Sequence, residues 1–108
     1  RDFKGAMGNR IDVLWDQLKR CPGEVWGFGA AAKGTVFAFC AGLGPSTLRY
    51  VVDQTPEKQG KYTPYGVPIV PIEKLFQELP DVVVVFPWNF LDEIRAKIPV
   101  GIRVVSTK

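Results

Sequence analysis

The segment Gly27-Phe28-Gly29-Ala30-Ala31-Ala32-Lys33-Gly34 concentrates the residue types most suited to holding a charged ligand. It matches G-x-G-x-x-A after a strand-like run and before a helix-like one, the context in which such a turn holds phosphate. Gly27 is expected to permit the tight turn and Gly29 to let a ligand approach the backbone. Ala30, Ala31 and Ala32 keep the helix start free of bulk, so that its unpaired N–H groups can face an anion. Lys33 adds a point charge. Small residues at this spacing also let a helix pack closely on a sheet, and both uses stand open.

Asp53 follows Gly29 by 24 residues, where a nicotinamide-binding domain places the acid that binds ribose. In Asp53-Gln54-Thr55-Pro56 it equally suits the cap of a turn. Lys58, Gln59, Lys61, Tyr62 and Thr63 offer donors for phosphate or sugar hydroxyls. Trp88 can stack on a base or a sugar, or pack on the sheet, and Asn89 can line the same site or cap a helix. A methyl-donor loop carries an acid just ahead of Gly-x-Gly-x-Gly; Val25-Trp26 stand there instead, which argues against such a site in this chain. With no histidine there is no Ser-His or Cys-His pair, and with only two cysteines no zinc ligand set. No catalytic or metal-binding residue is assigned.

The elements that must position these residues alternate. Phe3, Met7, Ile11, Leu14, Trp15 and Leu18 form one helical face from Phe3 to Lys19, ended by Cys21-Pro22-Gly23. A strand over 24–29, a helix from Ala30 to about Leu43 and a second strand over 48–53 follow. The stretch 54–68 is long for a passive connection. Val67 to Val70 reads as a short third strand, and Pro71 as the first position of a helix. Val82-Val83-Val84-Val85-Phe86 suits a central strand buried on both faces. Asn89 is placed to cap a helix over 90–98, and Ile102 to Ser106 is the last strand. The expected fold class is α/β: a Rossmann-like, doubly wound, mainly parallel sheet of four to five strands with helices on both faces. By analogy its order is 3-2-1-4-5. Residues 1–22 would be a connector helix and 23–108 the domain.

Composition narrows the classes of partner. The 14 Lys and Arg against 11 Asp and Glu give a net charge of +3 with no basic run, which does not suggest nucleic acid. No apolar stretch reaches the ~20 residues of a membrane span, so the expected location is cytoplasmic, away from membranes. Cys40 lies in an apolar helical run and is expected to be a free, buried thiol. The start at Arg1, without methionine, suggests a piece of a larger protein.

Four segments in order resemble the C-terminal domain of bacterial sugar C-methyltransferases: Gly27 to Gly34; Tyr50 to Asp53 with Thr55-Pro56 and 58–64; Val67 to Pro71; and Pro87-Trp88-Asn89-Phe90. The resemblance covers roughly residues 24 to 106. It implies a Rossmann-like domain at the end of an enzyme that methylates a ring carbon of a nucleotide-linked keto-deoxysugar. It further implies that S-adenosylmethionine and zinc belong to other domains of the parent, and that this chain binds neither. The partners would be a nucleotide sugar and those other domains, and the isolated chain would be inactive. Gly27, Gly29, Ala30, Ala31 and Lys33 would then face the sugar nucleotide together with Asp53. Lys58, Lys61, Tyr62 and Thr63 would close over it, with Trp88 and Asn89 as the floor. Two other roles fit the same residues: an NAD-type binding or regulatory module that relies on Asp53, and a scaffold that docks other domains through the first helix and Trp15.

Overall fold

A computed structural model describes residues 3–107, with side chains from residue 8 onward. Phe3 and Met7, two of the residues assigned to the face of the first helix, have side chains outside the described set. The elements are α1 (Phe3–Lys19), β1 (Val25–Phe28), α2 (Ala32–Ala41), β2 (Leu48–Val52), β3 (Ile69–Val70), α3 (Glu73–Glu78), β4 (Val82–Val85), α4 (Leu91–Lys97) and β5 (Arg103–Ser106), with a 3-10 turn over Trp88–Phe90 before α4. All strand pairs are parallel and their order is β3-β2-β1-β4-β5. The sheet is thus the Rossmann-like one that the alternation of elements predicts.

Alternation along the central strands divides the core in two. Val82 and Val84 join Val25, Leu48 and Val51 under α1 and α2. Val83 and Val85 join Trp26, Phe28 and Val52 beneath α3 and α4. Every residue of β1 and β4 is buried, as expected of strands covered on both faces. α1 lies on the first of these faces through Leu14 and Leu18, with Ile11 and Trp15 alongside. The Trp15 indole N–H donates to the Ala41 carbonyl at 2.8 Å. Trp15 therefore fastens α1 to the end of α2.

Three local expectations need correction. Cys40 is exposed, and the buried thiol is Cys21. α2 is apolar on several sides; Gly34, Phe37, Ala38 and Ala41 take the sheet-facing positions, which turns Val36, Phe39 and Cys40 outward. α3 begins at Glu73, two residues beyond Pro71, whose carbonyl accepts the Lys74 N–H at 3.1 Å. Asn89 lies inside the 3-10 turn, so the N-cap of α4 falls to Phe90 and no side chain caps it. Among the described residues no helix is long and apolar enough to cross a membrane.

Candidate functional site

β1 ends at Phe28, and the Gly29 N–H still pairs across the sheet with the Val52 carbonyl at 2.8 Å. Gly29 then turns at φ +106°, a conformation open to glycine and costly for other residues. Its neighbour on the side where a Cβ would stand is Pro87: an added Cβ would lie 2.7 Å from Pro87 Cδ. At Gly34 the same addition would meet Phe86 Cβ at 2.8 Å, and at Gly27 it would meet the Phe86 ring at 2.8 Å. The three glycines thus form a socket for Phe86-Pro87. Gly27 lies within β1 and is buried, so it makes room for a ring where a tight turn was expected. Gly29 makes the turn, but what approaches it is the protein's own proline. That contact joins the exit of β1 to the exit of β4, at the point where the strand order reverses.

The next residue is held from both ends. The Ala30 N–H donates to Asp53 Oδ2 at 2.8 Å, and the Ala30 carbonyl accepts from Lys58 Nζ at 3.2 Å. Asp53 Oδ1 accepts the Thr55 N–H at 2.8 Å, closing a turn, and Gln59 Nε2 donates to the Asp53 carbonyl at 2.9 Å. Asp53 is 9% exposed. Burial pushes its carboxyl pKa up, but the N–H groups of Thr55 and Ala30, the Thr55 hydroxyl and the Lys58 ammonium outweigh burial and hold it below the ordinary carboxylate value. The anion that sits at the glycine turn is therefore Asp53 itself. α2 accordingly starts at Ala32, with Ala31 as its extended N-cap at ψ 165°.

Beyond that clamp, the start of α2 faces outward. Its N-cap is Ala31, without a side-chain cap, and its first turn holds no acid. Ala31, Ala32 and Lys33 are exposed. The first N–H groups of a helix lack intrahelical partners, so this is the surface that can receive an anion. On the other side of Pro87 stand Trp88, 41% exposed, the exposed Asn89, and Phe90, 51% exposed. Two open hollows, of about 380 and 270 Å³, lie elsewhere, at the α4–β5 turn and beside Trp15, Cys21 and Thr47. The carboxyl edge is an open shelf.

The structure brings Ala30, Asp53 and Lys58 together; Gly29 precedes and Ala31 and Lys33 follow in the chain, and Trp88 and Asn89 follow Pro87, which faces Gly29. Lys61, Tyr62 and Thr63 are not part of that group. After Gln59 the chain doubles back along the outer edge of β3: Gly60 N–H to Ile69 O, Ile69 N–H to Lys61 O, and Thr63 N–H to Val67 O, at 3.0, 2.8 and 2.8 Å. Tyr62 bridges Pro68 in antiparallel sense. Since β3 runs toward the carboxyl edge, Thr63 opposite Val67 lies roughly four residues, or about 13 Å, below that edge. Thr63 is 4% exposed, and its hydroxyl accepts the Val67 N–H at 3.0 Å. It closes its own turn and cannot close over a ligand. Phe86 is the contributor that sequence reasoning missed, and for Pro87 it missed only the direct contact with Gly29; the available signal was an aromatic-proline pair directly after a buried strand.

The sequence profile described as the C-methyltransferase C-terminal domain matches residues 6–103. The chain is also similar to C-methyltransferase NovU of Streptomyces niveus, at 37% identity over 71 residues, which is 65% of this chain and 17% of that protein. The chain spans about a sixth of the length of that curated relative.

Proposed function

This chain belongs to the C-methyltransferase C-terminal domain family, and on that premise we propose that it forms one wall of the cleft that holds a nucleotide-linked keto-deoxysugar. The observation that carries this reading is the open start of α2, with Lys33 exposed on it and Lys58 one peptide away at Ala30. A diphosphate is excluded from the Ala30 N–H by Asp53 and would settle one step further along, on the N–H groups of the first turn of α2. The helix end supplies about 0.3–1 kcal/mol at such an open site, and the two ammonium groups add point charges. Lys58 now rests on a neutral carbonyl at 3.2 Å, a weaker partner than a phosphate oxygen. Trp88 stands where a sugar or base ring can lie against it.

The chain's part in the reaction is binding. It has no histidine, and Asp53 is unsuited to take a proton from carbon, because two backbone N–H groups and a lowered pKa hold it as a carboxylate. In the parent enzyme, deprotonation beside the keto group and methyl transfer from a sulfonium donor would fall to other parts of the protein.

The test is a titration of this chain with a thymidine-diphosphate sugar and, separately, with NAD, followed through backbone amide NMR shifts. Shifts over 30–34 and at Lys58 with the sugar nucleotide, reduced in Lys33→Ala and absent over 61–63, are expected. Stronger shifts with NAD that vanish in Asp53→Ala would replace this reading with the dinucleotide module. Silence with both ligands would favour a docking scaffold.

A further inference from the structure

We infer that the outward face of α2 is the surface on which this domain meets the preceding part of its own enzyme, through the apolar strip Val36, Phe39 and Cys40. The inference rests on membership of the C-terminal domain family and not on the anion reading, so a carboxyl edge that binds nothing would leave it standing.

From Gly34 to Leu48 the sequence carries no charged side chain. A helix apolar on all sides belongs in an interior. One side of α2, with Gly34, Phe37, Ala38 and Ala41, is buried on the sheet. The other is bare: Val36 is 47% and Phe39 58% exposed, and Cys40 is exposed beside them. Residues three and four apart are neighbours on a helix surface, so these three form one patch. The other helices show how this chain dresses a face meant for water. α1, in the same layer, turns Asp16 and Arg20 to solvent, paired at 3.0 Å, and α4 turns out Asp92, Glu93 and Arg95. The Phe39 ring is also held in place, edge-on to the buried Tyr65 with centroids 6.1 Å apart. A fixed aromatic ring is the kind of anchor on which protein contacts concentrate.

Size decides the occupant. α2 has 10 residues, so the strip is about 15 Å long and one helix, about 10 Å, wide. Separate molecules associate stably over about 800 Å² of each partner, several times this area, and a second copy of the chain held here alone falls short. A neighbour in the same polypeptide needs less contact, because the covalent link removes most of the entropy loss of association. The family matched by residues 6–103 is a C-terminal domain, and the residues similar to C-methyltransferase NovU make up 17% of that protein. The occupant is therefore a domain ahead of this one in the same enzyme, presenting an uncharged, apolar face.

The two cysteines supply the test. Alkylation by N-ethylmaleimide is followed at Cys40 and Cys21 by mass spectrometry, in this chain alone and in the complete enzyme that carries it. Cys21 is buried and should react slowly in both. Cys40 should react readily in the chain alone and about tenfold more slowly in the complete enzyme, since attack on the reagent requires an accessible thiol. Val36→Glu alters an exposed residue one turn before Cys40. It should leave urea unfolding of the chain alone unchanged and restore Cys40 reactivity in the complete enzyme. Phe39→Ala, a milder cut, replaces it and is read in the same way if that enzyme does not fold. Equal Cys40 rates in chain and enzyme overturn the inference. Protection that the variant leaves in place also overturns it, because the cover then does not sit on the strip. If the chain alone sediments as a dimer that Val36→Glu dissociates, the strip belongs to a second copy and the inference falls.

Discussion

Residues 53–59 and 60–68 are consecutive, both rich in polar and turn-forming side chains, and both belong to the connection between β2 and β3. The first half spends its hydrogen bonds on the glycine turn: Asp53 and Lys58 hold the two ends of Ala30, and Gln59 braces Asp53. The second half spends its bonds on the edge of the sheet, pairing along β3 and burying Thr63. One half holds the glycine turn in place. The other covers an unpaired strand edge, which would otherwise be open to another chain. Composition does not separate the two tasks; the partners of the hydrogen bonds do.

The contrast can be broken from the turn side with the greatest effect. Gly29→Ala places a side chain at φ +106° and 2.7 Å from Pro87. It should cost about 3 kcal/mol in urea unfolding, from backbone strain and overpacking together. A loss under about 1 kcal/mol would mean that the contact between the β1 and β4 exits is looser than described.

Asp53→Ala removes the charged acceptor of two backbone N–H groups and should cost about 2 kcal/mol, with amide shifts at Ala30 and Thr55. Because folding holds the Asp53 pKa below its unfolded value, its contribution is complete above about pH 4. The contribution is lost as the pH falls through the folded value. The stability difference between the parent chain and Asp53→Ala should therefore shrink in acid, and a difference that grows there would refute the clamp.

On the edge side, Thr63→Val strands the buried Val67 N–H and should cost about 1 kcal/mol, while sugar-nucleotide or pyrophosphate binding stays unchanged. A loss of affinity without a loss of stability would return Thr63 to the ligand and erase the contrast.

The smallest effect belongs to Tyr65, whose buried hydroxyl has no hydrogen-bond partner among the described residues. Burial raises its pKa to about 12 and the nearby Thr63 hydroxyl offsets this only in part. Tyr65→Phe should be neutral or stabilising by up to about 1 kcal/mol near neutral pH. A raised pKa keeps the folded phenol neutral, so its contribution is whole below about pH 10 and lost as the pH rises toward 12. The parent chain should accordingly lose stability relative to Tyr65→Phe across that interval.

The sheet was readable because its signals are local. An unbroken apolar Val82–Phe86 run, rich in β-branched residues, suits a strand buried on both faces, and glycine and proline punctuate α1 and α2 where those helices stop. The place of the glycine turn was readable for the same reason. What the glycines touch was not, because Phe86 and Pro87 are remote in sequence and meet the turn only through the pairing of β1 with β4. The fates of Lys61, Tyr62 and Thr63 depended on pairing register in the same way. Cys40 was misplaced because a helix apolar on several sides does not declare which side meets the sheet.

Ala30 lies between a carboxylate and an ammonium from one loop, and this gives the molecule a clock. Its amide proton can exchange only after the bond to Asp53 opens, so its deuterium uptake would time the lifting of that loop. Rapid uptake would describe a loop that samples open states constantly. Slow uptake, matching that of the central valine strand, would mean that loop and sheet open as one cooperative unit. A ligand that recruits Lys58 would change this rate at one amide while leaving the sheet protons untouched.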